Sequence, residues 1–297
     1  MPRREIVISG GKFPHSDPRR SKVNQGMALL AESQVLVVTM GYNFFSKKNR
    51  PKRQLRYLLS AQDGKVLAII DSVVLSQYRT SAGGAVGAKY LSRRDSRTVG
   101  ILGAGRQAVN QLRFLQLVRD INTIFVWSRT YSRARNFCQE NKGVLQANLV
   151  PVHAIEEMSR RVDILVTLTP SYSPIVSAEF MTPGLHVNII GADDPPKIEL
   201  DGEALKKADR IVIAGEESFL AGQLAKPIAE GKISRNDIFG TLGEIVAGLK
   251  PGRERDDEIT VFHSPGMTLQ DVSSGYKAYL RVKAAGLGKE VQDPFLL

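Results

Sequence analysis

A single cysteine in 297 residues, Cys138, excludes an intrachain disulfide framework and a cysteine-built zinc site. The four histidines, His15, His153, His186 and His263, are scattered, with no His-x-x-x-His or carboxylate spacing to make a metal ligand set. No apolar run reaches signal-peptide or membrane-spanning length, which sets the expectation of a soluble, cytoplasmic chain with no membrane partner. Internal repeats and low-complexity stretches are lacking too. Acidic residues are the scarcer charge, 30 against 41 basic, for a formal charge of +11. The densest basic run, Lys47, Lys48, Arg50, Lys52, Arg53 and Arg56, lies in no nucleic-acid-binding motif. It reads as a solvated loop or cofactor-side patch. Anionic small molecules account for a positive field without a nucleic-acid partner. What remains is an ordinary globular composition, 42% hydrophobic and 24% charged, long enough for one large or two ordinary domains.

The first third reads as an antiparallel sheet closed by a helix. Gln34 to Thr39 is rich in β-branched residues, and Arg53–Ser60 and Lys65–Asp71 are two more strands joined across Gln62-Asp63-Gly64, a hairpin signal. Ser76 to Arg93 reads as a helix. From Arg97 the pattern changes to strands alternating with helices. Thr98–Leu102, Thr123–Trp127, Asp163–Thr167, His186–Ile190 and Arg210–Ile213 are the strands; helices run from the turn after Leu102 to about Arg119, and from Tyr131 to Asn141. Such alternation predicts a Rossmann-type, doubly wound parallel sheet. An amphipathic helix, Leu269 to Ala285, follows and returns to the first region. The α/β unit is therefore inserted into a smaller α+β domain.

Between the first strand and its helix stands Gly103-Ala104-Gly105-Arg106-Gln107-Ala108. Gly103 permits a tight turn, Gly105 lets a pyrophosphate approach the backbone, and Ala108 still allows close helix–strand packing. The helix N-terminus then favours the anion. A dinucleotide is the expected ligand. An NAD site usually has Asp or Glu at the end of the second strand, whereas this chain reads Ser128-Arg129-Thr130 there, with Arg133 a turn later. Hydroxyl and guanidinium donors suit a 2′-phosphate, so NADP(H) is expected in preference to NAD(H).

The stretch Tyr78 to Leu91, opening Tyr78-Arg79-Thr80-Ser81-Ala82, followed by the strand and glycine turn, closely resembles the ornithine cyclodeaminase/mu-crystallin family. Further matches follow in order: Thr169-Pro170-Ser171, Gly191 to Lys197 with Glu199-Leu200, Gly243 to Gly248 with Pro251-Gly252-Arg253, and Ile259-Thr260 through Ser264-Pro265-Gly266 to Asp271. The resemblance runs from Leu55 to Lys283. It implies a homodimer with a substrate and dimerisation domain (1–95 and 264–297) and a Rossmann domain (96–263). It also implies chemistry drawn from ornithine or lysine cyclodeamination, alanine dehydrogenation and imino-acid reduction. By position, Arg79 resembles the arginine that clamps the substrate carboxylate, and Asp193 the acid–base aspartate, with Asp194 beside it able to exchange roles. Lys197 falls near cofactor and substrate, Thr169 and Ser171 fall on the loop lining the cofactor, and Asp271 is either a helix cap or a functional group.

The departures from the family pattern lie early in the chain. The N-terminus is shortened, Arg20 falls where a second carboxylate-binding arginine is expected, and Leu30-Ala31 replaces a Met-Pro segment. The strand that should carry a substrate-site lysine reads Val35-Leu36-Val37-Val38, leaving Lys47 or Lys48 as substitutes if their loop folds inward. The expected activity is NADPH-dependent reduction of a small imino acid or cyclic ketimine carboxylate. The alternatives are an ornithine or lysine cyclodeaminase, and a weakly catalytic NADPH-binding protein or subunit of a mixed dimer.

Overall fold

A computed structural model describes residues 7–8, 13–14, 21–44 and 53–291, in two compact units: 1–79 with 267–297, and 80–266. In the first unit, β1 (Val7–Ile8), β2 (Phe13–Pro14), β3 (Ser21–Leu30), β4 (Val35–Phe44), β5 (Arg53–Ser60) and β6 (Val66–Asp71) form an antiparallel sheet. Its order is β1-β3-β4-β5-β6, with β2 also paired to β3. The expected hairpin joins β5 to β6, with Gly64 at φ +74°, where a glycine is favoured. Strand β4 runs five residues past the predicted Thr39, and β3 was not anticipated. Its first half, Ser21-Lys22-Val23-Asn24-Gln25, is too polar to stand out as a strand.

Period-two alternation puts Gly26, Thr39, Arg56 and Ile70 on one rung of the inner face, and Ala28, Val37, Leu58 and Ala68 on the next. The return helix, Thr268–Ala284, lies on this face. Val272 joins Ala28, Val35, Val37 and Leu58 in the core, and a Cβ on Gly26 would stand 2.4 Å from Thr268 Oγ1. Helix α1 (Val73–Leu91) leads out of the sheet. The division between units runs through α1 rather than after it: Ala88 and Leu91 are wholly buried within the second unit.

The second unit carries β7 (Thr98–Leu102), α2 (Arg106–Leu115), β8 (Thr123–Trp127), α3 (Tyr131–Glu140), β9 (Asn148–Val152), β10 (Ile164–Thr167), β11 (His186–Ile189), β12 (Arg210–Ile213), β13 (Ile238–Thr241) and β14 (Thr260–His263). All eight strands are parallel, in the order β13-β12-β14-β11-β10-β7-β8-β9. This is the doubly wound sheet expected from the alternation. Its order reverses between β7 and β10, the switch point where such sheets open a crevice at their carboxyl ends.

Two histidines are buried in this sheet as neutral rings, His186 opening β11 and His263 closing β14. His186 lies between Thr260 Oγ1 (2.9 Å) and Asn188 Oδ1 (3.0 Å), and Asn188 Nδ2 donates to the Gly84 carbonyl at 2.9 Å. His263 Nε2 faces the Ala192 carbonyl at 3.3 Å. Burial pushes His186 down to about 3 and His263 to about 4, from an ordinary 6.5. Below that ordinary value the unfolded chain binds more protons than the folded one, so stability falls with pH. The loss is up to about 1.4 kcal/mol per pH unit for each histidine. Urea unfolding at about pH 7 and about pH 5 should show a lower midpoint at the more acid value, and equal midpoints would contradict this account.

Candidate active site

The glycine turn follows β7 directly. Gly103 has φ +117°, and a Cβ there would stand 2.9 Å from the Leu168 carbonyl oxygen, at the end of β10. Glycine is thus required by conformation and by close approach at the switch point. Gly105 is different: among the described residues nothing lies within 4 Å of a Cβ built there, leaving open space in front of the N-terminus of α2. No side chain caps that helix, so its end is available to an anion. Ala104 and Gln107 are half-buried, Arg106 is exposed, and Ala108 is wholly buried against the sheet, as the packing argument required.

At the end of the neighbouring β8, Ser128 is half-buried, while Arg129, Thr130 and Arg133 are exposed. Tyr131 opens α3 and stacks on His153, with ring centroids 3.5 Å apart and planes within 11°.

On the other side of the switch point, Glu199 ties the ends of β10 and β11 together. It is fully buried and accepts from Thr167 Oγ1 (2.7 Å), Thr169 N (2.6 Å), Thr169 Oγ1 (2.7 Å) and Gly191 N (3.0 Å). Burial raises its pKa, and those donors oppose the rise. The Thr169 hydroxyl is therefore taken up inside the loop, and Ser171 Oγ donates to the Ser173 carbonyl at 2.6 Å.

Asp193 follows β11 and pairs with Lys197, whose ammonium also lies 3.3 Å from Asp194. Burial alone would lower the pKa of Lys197, but the two aspartates outweigh it and hold the ammonium above its ordinary value. Asp193 is the more open of the pair, its side chain 41% exposed against 13% for Asp194.

In the first unit, Arg79 Nε donates to Asp271 Oδ1 at 2.9 Å, and its Nη1 to Gln270 Oε1 at 3.2 Å. The same Asp271 oxygen is held by Arg56 Nη2. Asp271 does not cap the return helix, whose N-cap is Met267; its side chain instead binds Arg56 and Arg79. Arg20, Lys47 and Lys48 lie outside the described residues.

Arg56 corrects an expectation. It belongs to no solvated loop: it stands in β5 and is completely buried. The basic run concealed a strand in which Gln54, Arg56 and Leu58 alternate with Leu55, Tyr57 and Leu59; period-two reading alone would turn the more apolar second set inward, and the structure instead buries the first, Arg56 with it. Glu199 was the other omission, matched only as part of a motif, because three of its four donors lie some 30 residues earlier, at Thr167 and Thr169. Among the described residues no group of three or more His, Cys, Asp or Glu is placed to hold a metal.

Carried together, the second unit's candidates sit at the carboxyl ends of four adjacent strands, β8, β7, β10 and β11. Residues 39–285 match the model of the ornithine cyclodeaminase/mu-crystallin family. The chain belongs to that family. It is 38% identical over 240 residues to an alanine dehydrogenase of Archaeoglobus fulgidus, covering 80% of this chain and 73% of that one. With a Δ1-pyrroline-2-carboxylate reductase of Bacillus cereus it shares 34% identity over 299 residues, 97% of this chain and 90% of the relative. Among solved structures it is similar to the Thermococcus litoralis Δ1-pyrroline-2-carboxylate reductase in complex with NADH and L-proline, with a TM-score of 0.91 and 29% identity. That likeness covers 97% of this chain and 90% of the other.

Gly103→Val is expected to remove binding of a reduced nicotinamide dinucleotide, since the side chain meets Leu168 at a φ that β-branched residues avoid. Titration of NADPH fluorescence checks this, and an unchanged affinity would place the dinucleotide elsewhere.

Proposed function

We propose that the protein is an NAD(P)H-dependent reductase of a small imino acid or cyclic ketimine carboxylate. The observation that carries the reading is the arrangement at the carboxyl edge of the parallel sheet. An uncapped helix N-terminus faces open space at Gly105, the Ser128–Arg129 segment stands one strand to one side, and Asp193 two strands to the other. The relatives that reduce Δ1-pyrroline-2-carboxylate support the substrate class.

In this reading the dinucleotide supplies hydride to the carbon of the C=N bond. Asp193 relays to nitrogen a proton drawn from the Lys197 ammonium or from water, so the imine becomes an amine while the dinucleotide is oxidised. Lys197 pairs with Asp193 and keeps it oriented. Arg79 receives the substrate carboxylate with the donors its helix-borne partners leave available, which fixes the α-carbon. Arg129 and Arg133 are exposed and their guanidinium groups make no hydrogen bond or ion pair with described residues, leaving both for a 2′-phosphate and favouring NADPH over NADH.

The homodimer belongs to the same proposal. The outer face of the antiparallel sheet carries the apolar rung Met27, Val38, Tyr57 and Ile69, and Ile69 is 60% exposed. An apolar face of this kind suits a second copy.

The test is NADPH oxidation with Δ1-pyrroline-2-carboxylate and Δ1-piperideine-2-carboxylate, with pyruvate plus ammonia as a separate arm. Turnover of a cyclic imine supports the reading, and no turnover across the imines defeats it. Replacing both Arg129 and Arg133 by Ala is expected to raise Kd for NADPH by about tenfold while NADH changes less than about threefold. Equal losses for the two cofactors would remove the 2′-phosphate role.

A further inference from the structure

Arg56 raises a question of charge that the proposed reaction does not answer. Its guanidinium is completely buried on the inner face of the antiparallel sheet. Among the described residues only Nη2 has a partner, Asp271; Nε and Nη1 are buried with none there. Burial draws its pKa down to about 10, with Asp271 opposing that and Arg79 adding to it. Arg56 is therefore still charged near neutral pH. One carboxylate, 6% exposed, is flanked by two guanidinium groups, one wholly inside and one 13% exposed.

This arrangement differs from a simple ion pair. Were Asp271 partnered by Arg79 alone, the two charges would cancel and Arg79 would present little attraction to an anion. With Arg56 neutralising Asp271 from the inside, the described cluster holds two positive charges and one negative. The surplus stands on Arg79, the most exposed of the three. A buried surplus cation is unfavourable by itself and is relieved when an anion arrives. Thr39 Oγ1, 3.4 Å from Asp271 Oδ2 on the same rung as Arg56, holds the carboxylate on its other oxygen.

We propose that Arg56 is a positioning residue that frees the charge of Arg79 for the substrate carboxylate by neutralising Asp271 from within the sheet. The proposal rests on the reading of Arg79 given above. It deepens that reading by making the site selective for a carboxylate over a neutral substituent of the same shape.

The probes are pyrrole-2-carboxylate and its neutral isostere pyrrole-2-carboxamide, titrated calorimetrically into the NADPH-bound protein, so no turnover is required. Wild type is expected to favour the carboxylate by about tenfold or more. Arg56→Met should remove most of that preference by weakening carboxylate binding alone. The double variant Arg56→Met/Asp271→Asn, which again leaves Arg79 uncompensated, should recover it to within about threefold of wild type. Arg56→Lys, which keeps the charge, should retain it. A merely structural role for Arg56 predicts no such recovery in the double variant.

NADPH affinity and the melting transition report whether each variant folds, and Arg56→Gln replaces Arg56→Met with the same expectations if the latter does not. Wild type binding both probes alike would overturn the carboxylate role of Arg79 and this proposal with it. A preference that survives in Arg56→Met, or fails to return in the double variant, would overturn the proposal for Arg56 alone. Carboxylate selectivity without imine turnover would leave it standing and defeat the assigned reaction instead.

Discussion

Glu199 is the carboxylate on which the carboxyl edge of the parallel sheet depends. Parallel strands end in backbone groups with no further ladder to join, and buried groups of that kind must find partners. Here one side chain collects the amides of Thr169 and Gly191 and the hydroxyls of Thr167 and Thr169. The ends of β10 and β11 are thereby held at a fixed separation. Gly191 fits against the Thr169 backbone so closely that a Cβ would stand 2.4 Å from its carbonyl oxygen. Asp193 begins two residues later, so its position is inherited from that junction. The carboxylate that organises the site is thus distinct from the one assigned to the chemistry.

Strands buried on both faces were the most legible part of the chain. Thr98–Leu102, Thr123–Trp127 and Arg210–Ile213 show their apolar runs openly and occur with those bounds. Strand β9 was hidden because it contains Pro151, which a central strand does not tolerate; β9 is the edge strand, where a missing N–H does no harm. Strand β13 occupies the opposite edge and is only four residues long with a glycine inside. Helix α2 ends at Leu115 rather than near Arg119, because Leu117 and Val118 turn back to carbonyls three residues earlier. Among the site residues, the glycine turn could be read locally because its meaning lies in consecutive positions. Arg56 and Glu199 acquire theirs mainly from partners far away in sequence, Asp271 for one and Thr167 and Thr169 for the other.

The positive charge of the chain has a partly internal explanation. Arg119 donates to the carbonyls of Ala88, Lys89, Ser92 and Arg93, closing the C-terminal end of α1 where no glycine cap stands. Arg253 donates to the carbonyls of Leu91, Leu185 and Glu258. Both line a cleft of about 1010 Å³ together with Lys89, Arg93 and Arg94. Those residues precede β7, β8 and β14, so the cleft opens on the amino-terminal edge of the sheet, away from the glycine turn. Much of its basic lining already serves the backbone, which makes it a poor rival for a phosphate-bearing ligand.

The lone tryptophan, Trp127, is the last residue of β8, directly before Ser128 and one strand from the glycine turn. Indole emission from this chain therefore originates at one known point. Energy transfer from that indole to a reduced nicotinamide would give an optical distance gauge native to the protein, with no label and no second tryptophan in the chain.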